Sequence, residues 1–189
     1  LAPATPMVRE SEVAEFFECL KGDDAQSKAA AESTVWNACA RGNLVACRWL
    51  LKFGVWTDAN QALNVDGARC PTFAVGAGPM YVAAQQGHLD VVRCLALEAQ
   101  ANVNQARTDD GTTPIYVAAW KGHLDVVRCL ALEAQANVNQ ARTANGATPI
   151  YMAAQNGHLD IVRCLALEAQ ANVNQPMTAT GSTPLSMAA

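Results

Sequence analysis

Seven cysteines and three histidines are the residues of this 189-residue chain with the most chemistry to offer. The histidines, His88, His123 and His158, recur every 35 residues, each inside a GHLD string. A ladder of this kind could hold metal or move protons. Yet His123 and Asp125 stand two apart on what reads as a helix, so their side chains diverge and make a poor dyad. The cysteines are Cys19, Cys39, Cys47, Cys70, Cys94, Cys129 and Cys164. Seven is odd, so a closed disulfide framework would leave one over. There is no Cys-x-x-Cys pair, and Cys39 and Cys47 have no histidine close by, so the ligand spacing of a zinc site is missing. Cys94, Cys129 and Cys164 share one recurring string, VRCLALEAQANVNQ, and read as small apolar side chains in a reducing compartment. No serine has a histidine and an aspartate arranged once for nucleophilic attack. Gly76-Ala77-Gly78 is no phosphate loop, because Tyr81 stands where a third glycine is needed and no Gly-Lys-Ser/Thr follows. An active site is built once from convergent groups, whereas these groups are built several times. The expectation is a protein with no catalytic residues, no metal ligands and no cofactor.

Repeated groups require repeated elements to position them. Residues 113–147 and 148–182 are identical at 27 of 35 positions. Within one unit, Thr113 can cap a helix that tolerates Pro114 at its first position, and Gly122 ends it after about two turns. Leu124 to about Ala134 read as a second helix whose Leu124, Val127 and Leu130 form one stripe, widened by Val126 and Cys129. The polar stretch NVNQARTANG follows, with Asn145-Gly146 supplying a tight turn. Helices this short cannot bury an apolar face alone and must stack on a neighbour. Thirty-seven alanines, including Ala118, Ala119, Ala153 and Ala154, let stacked helices approach closely. The 51% apolar fraction supports a core and excludes disorder, while a net charge of −4 disfavours nucleic acid. No apolar stretch approaches the ~18–20 residues of a membrane span, and residues 1–10 hold no signal-peptide core. With no Asn-x-Ser/Thr acceptor either, the expected setting is intracellular, in the cytoplasm.

TPIYVAAWKGHLDVVRCL at 113–130, its copy at 148–165, and the NVN string before an Asp-Gly or Asn-Gly turn resemble the ankyrin repeat. The resemblance covers roughly residues 34–189 and implies an all-α, ankyrin-type solenoid of stacked helix-turn-helix repeats with hairpin loops. It also implies that each GHLD histidine is structural, fastening loops through backbone hydrogen bonds. Tyr116 and Tyr151 stand where the family carries histidine, as does Ser186 in the last copy. The period is 35 rather than about 33. One extra residue falls in the second helix or its end and another in the loop before the turn. Gln100 replaces the terminal glycine of that helix, and a left-handed glutamine would cost roughly 1 kcal/mol. Remodelling of the helix end is therefore expected instead.

The expected domains are a capping-helix region at 1–33, where Val13, Phe16, Phe17 and Leu20 share a face, and a repeat domain at 34–189. Repeats fall at about 34–66, 78–112, 113–147 and 148–182, with a partial copy at 183–189 and an insert near 68–77. A stack ending inside a helix exposes core surface, so a longer parent protein is expected. The two best-matched copies differ mainly at the end of the first helix and in the hairpin. These positions resemble the concave face and fingertips with which ankyrin proteins take partners. The candidate partner-binding residues are Gln85, Gln86, Asp109, Asp110, Thr112, Trp120, Lys121, Asn145, Gln155 and Asn156. Trp120, beside Lys121 at a helix end, is the most informative of them. The reading is a non-catalytic, monomeric module for another protein, binding neither nucleic acid nor membrane. The alternative is a targeting arm of a larger enzyme, such as a kinase or a ubiquitin ligase subunit.

Overall fold

Each threonine-proline pair opens a helix by the same local chemistry. In the computed structural model, which describes residues 36–52, 60 and 76–187, Thr113 Oγ1 accepts the Tyr116 amide at 3.3 Å and Thr148 Oγ1 that of Tyr151 at 3.4 Å. Pro114 and Pro149 take the first helical position, where the missing amide leaves nothing unpaired. The helices in chain order are α1 (residues 36–40), α2 (Leu44–Lys52), α3 (Pro79–Gln86), α4 (Leu89–Arg93), α5 (Pro114–Lys121), α6 (Leu124–Arg128), α7 (Pro149–Gln155), α8 (Leu159–Arg163) and α9 (Pro184–Met187). The described residues contain no strand.

The first helices α3, α5, α7 and α9 stack in one row, and α4, α6 and α8 form a second row against them. Between the first helices lie Ala83, Ala84, Ala118, Ala119 and Ala153, all fully buried. Under the second row lie Val92, Leu95, Val127, Leu130 and Leu165. The apolar share of the chain is therefore a continuous seam between layers, and each layer is stable only through its neighbours.

One of the two extra residues of the 35-residue period sits inside the second helix. After α4, α6 and α8 the chain continues as π-helix over Cys94–Glu98, Cys129–Glu133 and Cys164–Glu168. Ala99, Ala134 and Ala169 donate their amides five residues back, to Cys94, Cys129 and Cys164, at 3.0, 2.9 and 3.0 Å. A wider turn absorbs one inserted residue without rotating the flanking helix, so Leu95 and Leu130 stay buried while Leu97 and Leu132 turn outward, 48% and 42% exposed.

The glutamines correct the expectation made for them. The helix end is remodelled, yet Gln100, Gln135 and Gln170 also adopt left-handed backbone, at φ 52°, 53° and 54°. The next residue explains why. Ala101, Ala136 and Ala171 are buried and donate to the carbonyls of Leu95, Leu130 and Leu165 at 2.8–2.9 Å, so the chain must reverse at the glutamine. Packing holds a conformation that the side chain disfavours by about 1 kcal/mol. Gln135→Gly relieves that strain, and after roughly 0.4–1 kcal/mol is subtracted for the greater freedom of unfolded glycine it is expected to raise stability by no more than about 0.6 kcal/mol. Urea unfolding checks this; a midpoint lowered by the full cost of the more flexible glycine would mean that the glutamine is not strained.

The expected capping region at 1–33 lies outside the described residues. The insert expected near 68–77 lies outside the described residues except for its last two, 76–77. Gly76 (φ 80°) occupies the turn position of Gly111 and Gly146, each contacted by a threonine of the following unit, and Gly78 stands at the cap position of Thr113. Asn60 Oδ1 accepts the Asn102 amide as Asn104 Oδ1 accepts that of Asn137. Seven residues lead from Asn104 to Gly111 but sixteen from Asn60 to Gly76, so the extra length falls before Gly76, and 76–77, equivalent to 111–112, close the first unit.

Candidate functional site

The histidines fasten the stack. Nε2 of His88, His123 and His158 donates to the carbonyls of Ala40, Gln85 and Trp120 at 2.8, 3.1 and 3.2 Å. Each ring thus ties its own unit to the end of the preceding first helix, as the resemblance implied. The described cysteines are free thiols buried in the seam.

Those same helix ends carry six of the sequence-predicted residues. Gln85 and Gln86 end α3, Trp120 and Lys121 end α5, and Gln155 with Asn156 ends α7, so the stacking of these three helices sets the pairs in one row. Gln85 is half-buried and the other five are exposed. Trp120, at the centre of the row, is 41% exposed, and Lys121 holds its ammonium 4.6 Å from the centre of the indole ring. Asn156 turns back to donate to the Met152 carbonyl at 2.8 Å. The row combines an aromatic face with amide groups and a single cation, suited to peptide chemistry more than to an ion or a cofactor.

The hairpin residues divide differently. Asp109 is exposed and pairs with Arg107. Asp110 is half-buried: its Oδ1 accepts the Thr112 amide at 3.0 Å and its Oδ2 accepts Arg142 Nη2 at 2.7 Å. Burial pushes the Asp110 carboxyl up, but the hydrogen bonds from Thr112 and Arg142 and the charge of Arg107 outweigh it and hold the group below its ordinary range. Asn145 repeats the turn role, accepting the Ala147 amide at 3.1 Å. Thr112 is buried and presents nothing to a partner. Asp110, Asn145 and Thr112 therefore shape the hairpins, and Asp109 remains the open hairpin position.

Two arginines escaped the sequence reading. Arg107 Nη1 donates to the Tyr81 hydroxyl at 3.4 Å, and Arg142 reaches back across one unit to Asp110. The available signal was the tyrosine in place of the family histidine, one arginine later in the same unit. In the last copy Met177 replaces the arginine and packs instead with Tyr116, Ala147 and Tyr151. On the opposite side, Arg48–Glu98, Arg93–Glu133 and Arg128–Glu168 pair successive second helices. These pairs are largely exposed and contribute little stability.

A family model described as ankyrin repeats (3 copies) matches residues 64–142 and 132–189, more than half of the chain. No curated protein matches it. Among the described residues no helix is long and apolar enough to cross a membrane.

Proposed function

Because the chain belongs to the ankyrin repeat family, whose repeats are protein–protein interaction modules, we propose that it is a non-catalytic module binding a partner protein along the row of first-helix ends. The observation that carries this reading is Trp120. A large apolar side chain is left exposed at the middle of a row whose other members vary from copy to copy, while the seam beneath is almost invariant. Exposed aromatics of this kind are enriched among the residues that dominate binding energy. Gln85, Gln86, Lys121, Gln155 and Asn156 flank it with groups able to bond a peptide backbone, and Asp109 extends the surface at the hairpin. The partner is another protein rather than nucleic acid, since the chain carries a net charge of −4. A monomeric chain in the cytoplasm fits the same reading.

The test compares the two sides of the stack. Proteins retained by the immobilised chain from a cell extract are identified and their affinities measured against Trp120→Ala and Leu132→Ala. Trp120→Ala is expected to weaken binding by roughly tenfold or more, and Leu132→Ala, on the outer helices, to leave it unchanged. The reverse pattern would move the binding surface to the second helices.

A further inference from the structure

Two of the buried thiols meet. Cys39 on α1 and Cys47 on α2 are both shielded from solvent, with their Sγ atoms 3.8 Å apart. The repeats provide an internal comparison. Three residues before and five residues after the helix-ending glycine, the later copies carry Ala84 with Val92, Ala119 with Val127, and Ala154 with Val162. An alanine–valine pair therefore fills this contact adequately, and packing requires neither thiol. The first copy replaces both partners at once, and both by cysteine. Cys94, Cys129 and Cys164 instead occur one per unit, at a different register. Among the described residues Cys39 and Cys47 form a thiol–thiol hydrogen-bonding contact, whereas Cys94, Cys129 and Cys164 each lie beside an arginine of the preceding unit.

We propose that Cys39 and Cys47 are a modification site, a dithiol that hydrogen peroxide converts into a disulfide tying α1 to α2. The thiolate of one cysteine attacks the peroxide, forming an S–O bond as the O–O bond breaks and hydroxide leaves. The second thiolate then attacks that sulfur, forming the S–S bond and releasing a second hydroxide. The two thiol protons convert the hydroxides to water, so two thiols are oxidised and one peroxide is reduced to two waters. Burial excludes large reagents, and peroxide is small enough to enter when this repeat opens locally. The hydrogen bond with Cys47, together with burial, keeps the Cys39 thiol protonated in the closed form, so the pair responds to sustained oxidant. Closing the short segment between the cysteines restricts the open state of the repeat, which then opens less often.

The full chain is treated with hydrogen peroxide, its remaining thiols are alkylated under denaturing conditions, and tryptic peptides are weighed. The expected product joins the peptide ending at Arg41 to residues 42–48, with two hydrogens lost, and a thiol reductant reverses it. Amide exchange over residues 36–52 is expected to slow by about tenfold on oxidation. The C39A/C47V double variant carries the pair used by the other copies, and it should fold normally and show neither change. Alkylation of both cysteines after peroxide would overturn the proposal, as would linkage of either one to Cys19, Cys70 or Cys94. A linked product with unchanged exchange would overturn the tying of the two helices.

Discussion

Gly122→Ala is expected to destabilise the protein by about 3 kcal/mol, whereas Gly157→Ala costs only about 1 kcal/mol. Both glycines end a first helix in left-handed backbone, at φ 84° and 72°, so the conformational penalty of a side chain is shared. Their surroundings differ. A Cβ at Gly122 would lie 2.8 Å from Cε1 of His158, and that ring cannot swing aside without losing its hydrogen bond to the Trp120 carbonyl. A Cβ at Gly157 would meet nothing within 4 Å. The difference of about 2 kcal/mol thus measures the close approach of successive units rather than the backbone. Urea unfolding of both variants checks it, and a His158→Ala change should recover part of the loss in the Gly122→Ala background but none in Gly157→Ala. Equal losses for the two glycines would show that the histidine is free to move.

Leu130→Ala is expected to cost about 3–4 kcal/mol, and Leu132→Ala, two residues later, no more than about 0.5 kcal/mol. Leu130 is fully buried in an interior unit with neighbours on both sides, so its removal leaves a cavity that the stack cannot close. Leu132 lies in the same π-helical segment and faces solvent. Thermal or urea unfolding of the two variants reads the difference directly. Comparable losses would mean that the inserted residue is accommodated elsewhere and that both leucines contact the seam.

Much of this architecture is legible in the sequence because its signals are local. Thr113-Pro114, Gly122, and the stripe of Leu124, Val127 and Leu130 each act within a turn or two of backbone, and repetition multiplied a weak signal into a specific one. The histidines could be placed because the resemblance supplied their role. The candidate surface was legible only where exposure follows from helix ends, as at Trp120 and Gln155. The hairpin spacing suggests open positions at Asp110 and Thr112, yet Asp110 pairs with Arg107, within the hairpin, and with Arg142, from the next unit, and Thr112 is buried.

Composition and period alone required stacked pairs of short helices with small residues between them, because no such pair can bury its apolar face by itself. Contacts between units settled the rest. They turned one extra residue into a π turn, held Gln100, Gln135 and Gln170 left-handed against their own preference, and brought Cys39 to Cys47. Each of these outcomes is set by groups on neighbouring turns or layers that lower the free energy of an otherwise disfavoured local geometry. Sequence spacing records which residues are present; the stack determines which of them touch.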